Sequence, residues 1–423
     1  MIPELPIRLP VGVRDFLPPA AARRRAIAEA LIAEFERWGY DRIITPAFEY
    51  AAVLARALGD AASLRFVEPA TGEVVALRTD ITPQIARIAA TRLGEARGPV
   101  RLAYEGSVLR LLPGARGQRE LIQAGVELID GPSPAGDAEM IALAGAALAA
   151  AEIGDVTIDV GHVALARGAL AGMGPEIQEL VARKDRGGLE RAVGSSPAAA
   201  VLVALPGLYG EAADVFARAR ALPLDDTMAR AVDELEAALE LAREQGFAGR
   251  LTVDLGEIRG SGYYTGIRFA AYVDGVGDAV LTGGRYDDLV GRYGRAARAT
   301  GFAVDVEAIA QAEHARGGEP SPAARGVVVA CPGDPRSAAR VAAALRRRNL
   351  RVAVDLARRE DDAALLAYLA ERGARAAVVC DRGGARLLPG AKAISPTAWE
   401  RAEAGDATLL AAEIVAAQNG RTD

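Results

Sequence analysis

Cysteine, histidine and lysine are nearly missing from these 423 residues. The two cysteines, Cys331 and Cys380, cannot build the disulfide framework of a small secreted protein. Each ends an apolar run, VVVAC or AAVVC, so buried, inert thiols are the expectation. His162 and His314, with no CxxC or HExxH spacing anywhere, leave no ligand set for zinc. Lysine occurs only at Lys184 and Lys392, so 48 of the 50 basic residues are arginine. With the excess of alanine and glycine, this reads as genome base composition and carries no functional weight. Long apolar runs are also missing. The longest, MIALAGAALAAA at 140–151, falls short of the roughly 20 residues that span a bilayer and lies between Glu139 and Glu152. The opening MIPELPIRLP lacks the basic start and apolar core of a signal peptide. A formal charge of −6 provides no global field for nucleic acid or an anionic membrane. A soluble, cytoplasmic protein with no nucleic-acid or membrane partner is expected.

The length calls for two or three domains. Ile27, Leu31, Phe35 and Trp38 recur at helical spacing, with Gly39 as a stop. RIITPAFEY (42–50) reads as a strand interrupted by Pro46. VVALRTD, VRLAYEGSVLR and ELIQAGVELID read as further strands, and a helix over about 137–152 precedes a strand at VTIDV. From 163 to 250 strand signals vanish, and Met228, Val232, Leu235, Leu239 and Ala242 form one helical stripe. That span is expected to be a helical insertion. Strands return at LTVDL, IRFAAYV and GFAVDV. A polar linker, HARGGEPSPAAR, then leads into alternating strands and helices over 326–423, closed by a last helix near 397–417. The expected domains are 1–320 and 326–423.

Four segments combine charge and glycine in ways a packed core does not need. In LRTDITPQIAR, Asp80 follows an apolar strand and Thr82 is a candidate N-cap before Pro83. In SVLR and QAGVELID, Arg110 stands on one strand and Gln123, Gly125 and Glu127 share one face of the next. The gap at Gly125 would leave room between a carboxamide and a carboxylate. IRGSGYYTG sets Arg259 before a glycine pair and two tyrosines, Tyr263 and Tyr264, without the third glycine of a dinucleotide fingerprint. TGGRYDDLVGRYG supplies Arg285, Tyr286 and Asp287. Taken singly each is weak: a capped helix start explains the first, and a solvated hairpin the second, as well as a binding site does.

In this order, LRTDITPQIAR, RLAYEGSVLR, QAGVELIDG, RGSGYYTG, GGRYDDLVGRYG and TGFAVDVEAI resemble histidyl-tRNA synthetase over essentially the whole chain. The resemblance implies an α+β fold: the class II aminoacyl-tRNA synthetase-like antiparallel sheet flanked by helices, with a helical insertion at about 163–250 and a small anticodon-binding-like α/β domain at 326–423. It also implies a homodimer through the motif-one region, here helix 19–38 and the strand RIITPAFEY. The sequence departs from the synthetase where ATP is held. Ala308 stands in place of the triphosphate arginine and Asp305 in place of a small residue. Arg110-Leu111-Leu112 replaces Arg-x-Glu, and Leu121 replaces the phenylalanine that stacks on adenine. A carboxylate near a triphosphate, with its arginine deleted, opposes ATP binding.

The amino-acid pocket of that family is kept. The resemblance assigns the α-ammonium of histidine to Asp80, Thr82 and Gln123, and its carboxylate to Arg110 and Arg259. It assigns the imidazole to Glu127 and Tyr264, joined by Tyr263 and Tyr286. Asp80 followed by ITPQ, and DVGH at 159–162, are similar to the regulatory-subunit family of ATP phosphoribosyltransferase. That likeness implies a non-catalytic chain without catalytic residues, cofactor or metal. Its partner would be a short-form catalytic subunit in a hetero-octamer, and L-histidine would be its ligand for allosteric feedback in histidine biosynthesis. An active histidyl-tRNA synthetase is the alternative.

Overall fold

Two ten-residue strands, Val100–Leu109 and Glu120–Ile129, pair antiparallel along their full length, from Val100 opposite Ile129 to Leu109 opposite Glu120. In the computed structural model they stand near one edge of a nine-stranded sheet. The order is Asp41–Arg42, Val100–Leu109, Glu120–Ile129, Ala299–Asp305, Leu281–Arg285, Ile267–Val273, Val156–His162, Arg250–Asp254 and Tyr209–Gly210. Neighbours run antiparallel except at Asp41–Arg42 with Val100–Leu109 and at Val156–His162 with Arg250–Asp254. The structure describes residues 8–58, 63–96, 98–111, 117–194, 197–258, 263–316, 326–381, 384–390 and 392–419. The chain divides into two compact units, Met1–Glu319 and Pro320–Asp423.

Side chains alternate between the faces of a sheet. On one face Val126, Leu128, Phe269, Phe302 and Val304 are buried in a core shared with helices Ala20–Arg37 and Ala135–Ala150. Burial on that scale, at roughly 25 cal/mol per Å² of apolar surface, is what holds the sheet in place. The register places Gln123, Gly125 and Glu127 on the opposite face, beside Ala303, Gly301, Thr282 and Gly284 of the next two strands. Helix Thr82–Thr91 covers one side of that face, packing Ile85, with Ile81 just before it, on Leu102, Tyr104, Val108 and Leu121. Among the described residues of 163–249 the structure is mainly helical, and Met228, Val232, Leu235, Leu239 and Ala242 of helix Asp226–Glu244 are all buried. Asp225 caps that helix by accepting from the Thr227 and Met228 amides at 2.9 and 2.8 Å.

Several sequence expectations change here. Of the stripe Ile27, Leu31, Phe35 and Trp38, the first three are fully buried inside their own chain and cannot meet a second copy, while Trp38 is half-buried. RIITPAFEY is not one interrupted strand. Asp41–Arg42 joins the large sheet, while Phe48–Tyr50 belongs to a separate sheet with Val74–Leu77 and Arg65–Val67. Pro46 cannot donate to a ladder, and its carbonyl instead accepts from Arg78 and Gln84. In the second unit, parallel strands Val352–Val354, Val327–Ala330 and Ala376–Asp381 are extended by the antiparallel Gly384–Leu388 and Lys392–Ala393. The final helix is two, Pro396–Glu403 and Thr408–Asn419, separated at Gly405, whose φ of +103° a helix cannot contain. The expected inert thiols are also corrected. Ala330 lies opposite Val379 in a parallel ladder, which brings Cys331 and Cys380 to a Cα separation of 4.8 Å, and they are joined as a disulfide.

Candidate functional site

Glu127 is a carboxyl group with 1% of its surface exposed and no cation beside it among the described residues. Three hydroxyls face it instead. Thr82 Oγ1 donates to Oε1 at 2.6 Å, Tyr104 donates to the same oxygen at 3.2 Å, and Tyr286 donates to Oε2. Burial is the largest influence and pushes the group up to about 8. The Thr82, Tyr286 and Tyr104 hydroxyls oppose that push and the Asp80 charge adds to it. The pocket thus holds a hydrogen-bonding carboxyl poised near neutrality, ready for a ligand that brings donors or positive charge. Gly301 is what lets it lie there, since a Cβ at 301 would collide with the Glu127 carboxylate.

The neighbouring polar group is Asp80 with Gln123. Gln123 Nε2 donates to Asp80 Oδ1 at 3.1 Å, and Gln123 Oε1 accepts from the Ile81 amide at 3.2 Å. Asp80 Oδ1 also accepts from the Thr82 amide at 3.3 Å. Thr82 is therefore not the N-cap. Asp80 takes the free amide, the helix begins at Thr82, and the Thr82 hydroxyl is released to turn toward Glu127. Tyr263 packs edge-on against Tyr264, with centroids 5.3 Å apart, and lies tilted against Tyr286 at 5.4 Å. Burial raises all three phenols, so they remain hydrogen-bond donors at neutral pH. The Tyr263 hydroxyl is buried with no partner among the described residues. The ring of Tyr264 fills the space a side chain at Gly284 would need.

Asp80, Thr82, Gln123, Glu127, Tyr263, Tyr264 and Tyr286 are thus brought to one face of the sheet by its strands and the helix at Thr82. Arg110 is not brought in: it is exposed, one residue past its strand, with its amide on the Arg119 carbonyl at 2.9 Å. Arg259 and Leu112 lie outside the described residues. The gap above Gly125 is filled, because Tyr104 stands opposite it in the ladder and a Cβ there would come within 2.6 Å of the phenol oxygen. Tyr104 is a pocket residue the sequence reading missed, and the only signal for it was a tyrosine placed to face a glycine once the register was known. Arg78, two residues before Asp80, was missed as well. Asp305 caps helix Val306–Ala315 by accepting from the Ala308 amide at 3.0 Å, and Ala308 is wholly buried. Leu121, expected where adenine would stack, is a core residue beneath helix Thr82–Thr91.

The large sheet, the helices on one face and the polar pocket on the other define a histidyl-tRNA synthetase-like fold, and the family model for histidyl-tRNA synthetase matches residues 12–309. A histidyl-tRNA synthetase structure from Nostoc sp. PCC 7120 superposes with a TM-score of 0.78 over 95% of this chain and 100% of that one, at 21% identity, which speaks for the fold alone. A structure from Bacillus halodurans described as an ATP phosphoribosyltransferase regulatory subunit/histidyl-tRNA synthetase gives a TM-score of 0.75 at 27% identity, covering 89% of this chain and 98% of that one. An ATP phosphoribosyltransferase regulatory subunit of Geobacter sulfurreducens is 41% identical over 86% of this chain and 87% of its own length. One from an Anaeromyxobacter species is 44% identical over 75% and 97%. The chain belongs to this family of ATP phosphoribosyltransferase regulatory subunits, whose part is regulatory and not catalytic.

Proposed function

We propose that the chain is the non-catalytic regulatory subunit of an ATP phosphoribosyltransferase in histidine biosynthesis, that it assembles with a short-form catalytic subunit, and that L-histidine binds in the Glu127 pocket to feed back on that partner. The observation that carries the ligand is the buried Glu127 carboxyl under three hydroxyls, with the Asp80–Gln123 pair beside it. An imidazole offers the N–H donor that Glu127 lacks, and an α-ammonium suits Asp80. Feedback then requires that the inhibited state of the complex bind histidine more tightly, and the coupling must run both ways. Against adenylation stand Ala308, buried and without the reach of an arginine, and Leu121, held in the core.

A two-fold homodimer through the motif-one region remains part of the proposal, with its surface moved. The exposed large side chains of that strand segment are Ile44 at 84%, Phe48 at 48% and Tyr50 at 43%, outside the buried helix stripe. Exchange of pyrophosphate into ATP, driven by histidine, tests the reading against the alternative of a working synthetase. No exchange is expected, together with saturable histidine binding by calorimetry. Exchange at a synthetase's rate would replace the proposal, and no histidine binding would remove the pocket from it. Glu127→Gln should weaken histidine about ten- to a hundredfold, because the bound imidazole takes up the Glu127 proton and the resulting charge-assisted hydrogen bond cannot form to an amide.

A further inference from the structure

We propose that Arg78 receives the carboxylate of the amino acid held in the Glu127 pocket, an inference that rests on the histidine-binding reading above. Arg78 is 6% exposed and yet has no carboxylate partner among the described residues. Other buried or half-buried arginines of the same unit do: Arg24 with Glu307, Arg101 with Glu139, Arg285 with Asp137. Its guanidinium is held by neutral oxygens. Nε donates to the Ser107 carbonyl at 2.8 Å, and Nη1 donates to the Thr45 carbonyl, the Thr45 hydroxyl and the Pro46 carbonyl at 3.0, 2.8 and 3.3 Å. Nη2 has no acceptor among the described residues. Burial lowers the pKa of the guanidinium from the ordinary arginine value, which marks it as a cation short of an anion.

The place of Nη2 says which anion. It lies over Gly106, where a Cβ would collide with it. Gly106 stands directly opposite Gln123 in the ladder, and opposed residues are about 4.5–5.5 Å apart at Cβ. The free nitrogen therefore lies on the face of the sheet that carries Gln123 and Glu127. An α-amino acid bears its ammonium and carboxylate on one carbon, so a site for it needs an acidic acceptor and a cation side by side. Asp80 with Gln123 supplies the first and Arg78 the second. Arg110, exposed beyond the strand end, is not so placed. The bonds from Nε and Nη1 fix the guanidinium before any ligand arrives, so little ordering is left to be done on binding.

The test compares two ligands on the full chain by calorimetry: L-histidine, and L-histidinol, which has a hydroxymethyl group in place of the carboxylate. Arg78→Gln should weaken histidine about tenfold or more and change histidinol by less than about twofold. Gly106→Ala, which keeps the charge but pushes Nη2 aside, should show the same preference and serves if Arg78→Gln does not fold. A purely structural clamp would lower both affinities together, and that result, or an unchanged histidine affinity, overturns the proposal. If the parent chain binds neither ligand, the pocket reading itself has failed and this inference falls with it. If the parent binds both and only the selectivity is missing, the pocket stands and Arg78 is not its carboxylate partner.

Discussion

Glu127→Gln should make the ligand-free chain more stable, and by an amount that grows with pH. In the fold the Glu127 carboxyl is pushed up from 4.5 to about 8, chiefly because burial penalises its charge. The folded chain then holds that proton more tightly than the unfolded chain does. The contribution to stability is complete below pH 4.5 and is lost as pH rises through about 8. Each unit of pH across that window costs about 1.4 kcal/mol, so the parent gives up about 3 kcal/mol by pH 7 and about 5 kcal/mol above pH 8. Glutamine does not titrate, retains one acceptor, and offers Tyr286 or Thr82 an N–H that a hydroxyl oxygen can accept. Urea unfolding should therefore place the Glu127→Gln midpoint near the parent's at about pH 5 and about 1 M higher at pH 7, for a slope near 3 kcal/mol/M. Hydrogen exchange of the amides in Glu120–Ile129 assigns the change to this unit. A midpoint difference that stays constant with pH, or that favours the parent at pH 8, would refute a neutral buried carboxyl.

Three further outcomes follow from the same geometry. Gly125→Ala would set a Cβ within 2.6 Å of the Tyr104 phenol oxygen and against the Phe302 carbonyl, so a loss of about 1–3 kcal/mol in thermal unfolding is expected, along with weaker histidine binding. Thr82→Val removes the 2.6 Å donor to Glu127 and should move the carboxyl still higher, which carboxylate-detected NMR would show as a later titration. His162 accepts the Ala164 amide on Nδ1 and is pushed down to about 4, mainly by burial. Its contribution is full above pH 6.5 and is lost as pH falls toward about 4, so His162→Gln should spare the chain about 3 kcal/mol of acid destabilisation in unfolding titrations.

The pocket was legible in the sequence where a period of two places residues on one face, as at Gln123 and Glu127. It was illegible where cross-strand register decides. Nothing in RLAYEGSVLR says that Tyr104 faces Gly125 or that Gly106 faces Gln123 until the two strands are paired. LTGGR did not read as a strand because two of its five residues are glycines. Gly283 is required there because a side chain would strike Phe302 and Phe269, so the local strand signal was sacrificed to packing. Arg65–Val67 is too short to show any period. The helix at Ala20–Arg37 showed its apolar stripe plainly, but periodicity cannot distinguish a face buried within one chain from a face buried against a second. Each strand alone shows only an apolar run ending in a cysteine, and the parallel pairing that joins Cys331 to Cys380 is a tertiary fact.

Reconstitution with a short-form ATP phosphoribosyltransferase catalytic chain tests whether this chain is a regulatory subunit that senses histidine. Turnover of the catalytic chain is measured alone, with this chain added, and with histidine titrated into the mixture. This chain alone should be inactive, and adding it should raise turnover. Histidine should then inhibit, with a curve that shifts to higher concentration when Glu127→Gln replaces the parent. Turnover unaffected by this chain, or charging of tRNA with histidine by the purified chain alone, would contradict the regulatory role.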